Sequence, residues 1–177
     1  CTTIDTLDYS GTGLNSGSKL VVAAYGDEIR NLSDQVPGSI NQLEGYGPAA
    51  MVMPGIMALS APKFTNYEAV MKEMEKLSQQ LSPLPLQSMP LIIICDDSAF
   101  TAATLNNFLW VAFTRCNPSH DIYGVDSFIR NKHWGCMGSL IIDARSKPHH
   151  APPLLPDPDT ENRIARIFEP GGSLYRK

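Results

Sequence analysis

No stretch of this 177-residue sequence reaches the roughly eighteen consecutive apolar residues that a membrane-spanning helix requires. The N-terminus shows no basic stretch followed by a hydrophobic run, so a cytoplasmic location is the expectation. Excess positive charge is missing as well. The net charge is −4, which argues against a nucleic-acid or anionic-membrane surface, since both favour a basic face. CxxC pairs are absent: Cys1, Cys95, Cys116 and Cys136 are widely spaced, and free buried thiols are expected rather than disulfides. There is no internal repeat and no coiled-coil heptad. What is present is a globular balance, 43% hydrophobic and 18% charged, in a length that suits one core.

The first eighteen residues, ending in Ser10-Gly11-Thr12-Gly13 and Gly17-Ser18, are polar and Gly-rich and read as a linker. Lys19 to Tyr25 reads as a buried strand closed by Gly26, and Asp27 to Pro48 as mostly loop. Ala49 to Leu59 is apolar but interrupted by Pro54-Gly55, which predicts a bent strand or two short ones. Thr65 and Glu68 have capping-box spacing. The helix that follows places Tyr67, Val70, Met71, Met74, Leu77 and Leu81 inward, with Lys72, Glu73, Glu75 and Lys76 opposite, and ends at Ser82-Pro83-Leu84-Pro85. Leu91 to Cys95 is a strand buried on both faces. A second helix spans about Thr101 to Phe113, with Leu105, Phe108, Leu109 and Ala112 inward. Asp121 to Val125 and Ser139 to Ile142 are further strands, and Asp157-Pro158 opens a last helix through Ile164, Ile167 and Phe168. This order predicts a single α/β sandwich, a mostly parallel sheet flanked by helices.

Gly11-Thr12-Gly13 precedes a strand rather than a helix, so a linker fits better than a dinucleotide site. Asp96-Asp97 ends a buried strand, where open α/β sheets bind ligands, yet helix capping is the commoner use of such a pair. Arg115 favours a helix C-terminus, with Asp121 or Asp126 as possible partners. His149-His150, on a proline-flanked and extended segment, point to opposite sides and read as a surface strap, not a metal site. Lys132, His133 and Trp134 fall in a loop of about a dozen residues between two strands, the best place in the chain for function. The ordinary alternative is that Trp134 anchors this loop while His133 is solvated. Cys136 near His133 makes no catalytic pair that spacing alone supports.

From Lys19 onward the chain resembles the C-terminal domain of the UbiD family of reversible aromatic-acid decarboxylases. Leu91 to Asp97 (LIIICDD), Phe108 to Pro118 (FLWVAFTRCNP) and Asp121-Ile122 carry the likeness. Lys132 to Cys136 (KHWGC) and Ile142 to Pro153 are similar to the branch acting on 4-hydroxybenzoate, vanillate, protocatechuate or gallate. The resemblance implies that residues 1–18 lead in from a missing N-terminal cofactor domain and that residues 19–177 form the C-terminal domain. It implies prenylated FMN with a divalent metal and potassium in the full-length enzyme, none of them bound to this fragment, which carries no catalytic residue and is inactive alone. Implied partners are the chain's own N-terminal domain, further copies of itself, small accessory subunits and a hydroxybenzoate. By position Lys132, His133 and Trp134 border the substrate. Leu86 and Gln87, in a loop from Ser82 to Pro90, approach the cofactor, although this loop has no lysine where relatives carry one. A free-standing nucleotide- or small-ligand-binding module and a purely structural dimerisation domain stand as alternatives.

Overall fold

Strict alternation along three apolar strands organises the fold. In the computed structural model, which describes residues 20–23, 25–150 and 157–175, β1 (Ala49–Met53), β2 (Ile56–Ser60), β3 (Leu91–Cys95), β4 (Ile122–Gly124) and β7 (Leu140–Asp143) make a five-stranded sheet ordered β1-β2-β3-β7-β4. The pairs β2–β3 and β3–β7 are parallel, while β1 and β4 close the edges antiparallel. The parallel centre is the sandwich expected, with antiparallel edges added. Met57, Leu59, Ile92, Ile94 and Ile141 face one core with Val70, Met74, Leu77 and Leu81 of α1 (Tyr67–Leu81). Ala58, Ile93, Cys95 and Ile142 face the other, against Phe108, Val111 and Ala112 of α3 (Leu105–Thr114). Each large aliphatic buried this way contributes about 1.5–3 kcal/mol.

The interruption at Pro54-Gly55 resolves as two strands. Gly55 at φ 79° lets the chain reverse between Met53 and Ile56, a turn position that a Cβ would strain. The expected strand at Lys19 to Tyr25 is not formed over its described residues: Val21, Val22 and Tyr25 are exposed and unpaired in the sheet. Leu20 packs, half-buried, against the core on the α3 face, but the described residues after it find no such neighbour. Asp27 to Pro48 is loop apart from a 3-10 turn at Gly38–Gln42.

Asn66, not Thr65, caps α1, its side-chain oxygen accepting the Ala69 N–H at 2.9 Å. Met71 is 64% exposed, because the buried stripe falls at 70, 74, 77 and 81. The single helix expected after Asp97 is two. Thr104 takes an extended conformation between α2 (Ser98–Ala103) and α3, and its hydroxyl caps α3 by accepting from Asn107 at 3.1 Å. That break turns Leu105 and Leu109 outward, where they join Phe100, Trp110 and Phe113 as exposed apolar groups. The short α4 (Pro118–Asp121) precedes β4. The last helix, α5 (Pro158–Phe168), is capped by Asp157 as expected but buries no residue. Among the described residues no helix is long and apolar enough to cross a membrane. The linker of residues 1–18, Cys1 and the glycines there lie outside the described residues.

Candidate functional site

The carboxyl ends of β2, β3 and β7 are where an α/β sheet ordinarily takes a ligand. Here the chain fills that position with its own charges. Arg145 is fully buried. It forms a fork with Asp143 (Nε–Oδ1 3.0 Å, Nη2–Oδ2 2.8 Å), and its Nη1 donates to both oxygens of Glu73 and to the Pro62 carbonyl. Glu73, expected on the solvent face of α1, is drawn inward by this cation and also accepts from the Tyr46 hydroxyl. Burial, then the Glu73 charge, raises the Tyr46 pKa. Lys147 donates to the carbonyls of Arg115, Asp143 and Arg145 and pairs with Asp121 at 3.2 Å, both side chains being buried. Asp121 Oδ2 accepts the Asn117 N–H, while Oδ1 has no partner, and burial raises its pKa against the pull of Lys147.

Arg115 therefore pairs with neither Asp121 nor Asp126. It meets Asp96 at 3.1 Å, because Lys147 has already claimed Asp121. Asp96 also accepts the Ser146 N–H, while Asp97 caps α2 through Phe100. His149 and His150 do not point apart. A turn at Lys147–His150 brings their rings to 4.5 Å, and His150 Nδ1 accepts the Lys147 N–H. Among the described residues no group of three or more His, Cys, Asp or Glu side chains is placed to hold a metal. The thiols of Cys95, Cys116 and Cys136 are free. Burial pushes Cys95 up to about 11 and Cys116 up to about 12, so neither is a thiolate near neutrality.

The stretch from Asp126 to Cys136 is not a loop. It is a hairpin, β5 (Ser127–Arg130) and β6 (His133–Cys136), joined by Asn131-Lys132. Both turn residues have positive φ, 51° and 66°, the mirror-image turn that matches strand twist and that glycine usually occupies. Asp126, at φ 51°, bends the chain into the hairpin. Bonds from Val125 to Ser139, Gly138 to Val125 and Met137 to Asp126 join it to the β4–β7 ladder. Among the described residues, all three non-glycine positions with positive φ fall in this one element.

Cross-strand register sorts the hairpin's side chains. Phe128 faces Gly135 and Arg130 faces His133 on one side, whereas Ile129 faces Trp134 and Ser127 faces Cys136 on the other. The second side roots the hairpin. A Cβ on Gly124 of β4 would lie 2.8 Å from Cys136 Sγ and 3.2 Å from Trp134 Cη2. His133 and Cys136 thus lie on opposite sides, and the Cys136 thiol points instead to the Gly138 carbonyl. Lys132 and His133 are exposed, and Trp134 is 46% exposed.

At the hairpin's base opens a cleft of about 360 Å³, bordered by Arg30, Ser82, Gln87, Asp126 and Met137 among others. Leu86 and Gln87 both line it. Leu86 packs into the core, whereas Gln87 is exposed and its carbonyl accepts from Arg30 at 3.4 Å. Lys132, His133 and Trp134 lie at the far end of the hairpin and do not line the cleft. Sequence reasoning missed Arg30, which sat in an apparent loop, and Arg130, whose alternation with His133 became readable only once the stretch was known to be paired.

No family model matches the chain. It is similar to a subunit of the 4-hydroxybenzoate decarboxylase of Chlamydia pneumoniae, with 31% identity over 162 residues, 91% of this chain and 26% of that protein. An uncharacterized protein of Chlamydia muridarum is 27% identical over 166 residues, 93% of this chain and 27% of its own length. A vanillic acid decarboxylase of Sedimentibacter hydroxybenzoicus, in open form, superposes with a TM-score of 0.44 and 16% identity over 73% of this chain and 30% of that one. The chain is thus related in sequence, over nine-tenths of its length, to part of a hydroxybenzoate decarboxylase, and it spans about a quarter of that curated relative.

Proposed function

We propose that this chain is the C-terminal domain of a UbiD-type, non-oxidative hydroxybenzoate decarboxylase of the protocatechuate/gallate kind, closing the active site and building the oligomer. The observation that carries the reading is the hairpin, which presents Lys132 at its turn and His133 on the adjoining strand, both exposed, in a chain related to a decarboxylase. The apolar groups Phe100, Leu105, Leu109, Trp110 and Phe113 are the surface that a further copy or the N-terminal domain would cover. Prenylated FMN, when bound, would accept the negative charge that CO₂ loss leaves on the ring.

Toward that cofactor the cleft offers polar side chains of Arg30, Ser82, Gln87, Asp126 and Ser139, and among the described residues no three His, Cys, Asp or Glu side chains are grouped to hold a metal. As the resemblance implies, the cofactor, divalent metal and potassium belong in this reading to an N-terminal domain. In this reading the domain's own work is to bind, orient and exclude water: His133 hydrogen-bonds the phenol while the hairpin covers the ring. Against the alternative of a nucleotide- or small-ligand-binding module at Asp96-Asp97, Asp96 holds Arg115 and the Ser146 N–H while Asp97 caps α2.

The test is CO₂ release by the full-length protein, loaded with cofactor, across a hydroxybenzoate panel. His133→Ala should lower kcat/KM about tenfold or more with unchanged cofactor content and melting temperature. Wild-type kcat/KM in that variant on every substrate would reduce the hairpin to a structural cover.

A further inference from the structure

We infer that Arg130, with Phe128 beneath it, is a specificity-determining residue of the hairpin and recognises an oxyanion carried on an aromatic ring. The inference rests on the reading that the hairpin borders an aromatic-acid site. It goes further by naming which of the hairpin's two faces does so and what chemistry that face reads.

The argument begins with register. Arg130 lies directly opposite His133, and opposed residues of an antiparallel pair share a face. Arg130 and His133 therefore present to the same side of the ribbon. Trp134, one residue on, is on the other face and turned toward Gly124. Next comes the platform. The absence of a side chain at Gly135 lets the Phe128 ring lie across that position, since a Cβ there would come within 2.7 Å of Phe128 Cζ. The Arg130 guanidinium sits over the same ring, 5.4 Å from its centroid. A guanidinium resting on an aromatic face has a fixed direction and keeps its N–H fork available to an anion.

Charge supplies the third strand of the argument. Residues 127–136 contain Arg130 and Lys132 and no Asp or Glu, in a chain whose net charge is −4. Arg115, Arg145 and Lys147 all pair with carboxylates within the fold, whereas Arg130 forms no ion pair among the described residues. An aromatic ring edge, a guanidinium and an imidazole on one ribbon face suit a flat ligand bearing an oxyanion. Two sources share that chemistry, a ring carboxylate and an ionised phenol.

The experiment uses the full-length protein with Arg130→Gln and Arg130→Lys. Calorimetric binding of 4-hydroxybenzoate is measured beside turnover, with the carboxylate-free phenol as competitor. Arg130→Gln should weaken hydroxybenzoate binding and raise KM about tenfold, with kcat changed less than about threefold, and Arg130→Lys should recover part of the loss. A phenol inhibition constant that rises in step assigns the ionised phenol, and one that holds assigns the carboxylate; either supports the inference. Unchanged binding and KM in Arg130→Gln would overturn it, as would wild-type protein that binds no hydroxybenzoate. Arg130-dependent binding without CO₂ release would sustain the inference while sinking the decarboxylase reading.

Discussion

Two regions of this domain treat their charged side chains in opposite ways. At the strand ends, Asp143, Arg145, Glu73, Lys147 and Asp121 are paired with one another, four of them fully buried. On the hairpin, Arg130, Lys132 and His133 are exposed. The place where an α/β sheet usually binds ligands is filled by its own ion pairs, whereas the hairpin leaves its cations and imidazole open to solvent.

The comparison breaks most visibly at Arg145. Arg145→Met leaves Asp143 buried without its counter-charge, a change that costs about 3–5 kcal/mol and should lower the melting temperature steeply or prevent folding. A melting temperature equal to wild type would mean that water reaches Asp143 and that the cluster is not closed. Gly124→Ala tests the hairpin's root instead. The new methyl group would press on Cys136 and Trp134, at about 1–3 kcal/mol, with altered Trp fluorescence and, under the proposed function, reduced CO₂ release by the full-length protein. Unchanged fluorescence and activity would show that the hairpin does not depend on this contact.

The smallest effect is a pH response of the strap over the closed end. Burial, aided by His149, Lys147 and Arg115 and opposed by Asp96, lowers the His150 pKa from 6.5 to about 4. The folded state thus holds His150 neutral, its Nδ1 accepting from Lys147, while the unfolded chain protonates first as pH falls. The contribution is full above about pH 6.5 and is lost progressively toward pH 4. Urea midpoints between those values should decline in wild type and flatten in His150→Asn. Asp121, with its pKa raised by burial, acts in the opposite sense, so parallel slopes in the two proteins would assign the decline to other groups.

Much of the sandwich was legible because its signals are local. LIIIC has no polar residue and became a central strand with the predicted bounds; Pro54-Gly55 marked a reversal; Asp157-Pro158 opened a helix. The errors arose where a competing local group won. The Asn66 amide displaced Thr65 as a cap, and the Thr104 hydroxyl divided one helix into two and exposed Leu105 and Leu109. Of the candidate site, the position of Lys132, His133 and Trp134 was readable from composition, but not their arrangement. Asn131-Lys132 is not a typical turn pair, so the hairpin was hidden, and with it the alternation that separates His133 from Trp134.

By itself the sequence determined which segments could be buried, because apolar periodicity and capping act over a few residues. It also determined that a lysine, a histidine and a tryptophan stand together on one short stretch. Only the tertiary structure decided where the charges end. Arg145 meets Glu73 from 72 residues away and the Pro62 carbonyl from 83, and Lys147 meets the Arg115 carbonyl from 32. No local pattern encodes such pairings. They follow from a buried cation's need for whatever oxygen the packed sheet brings within reach.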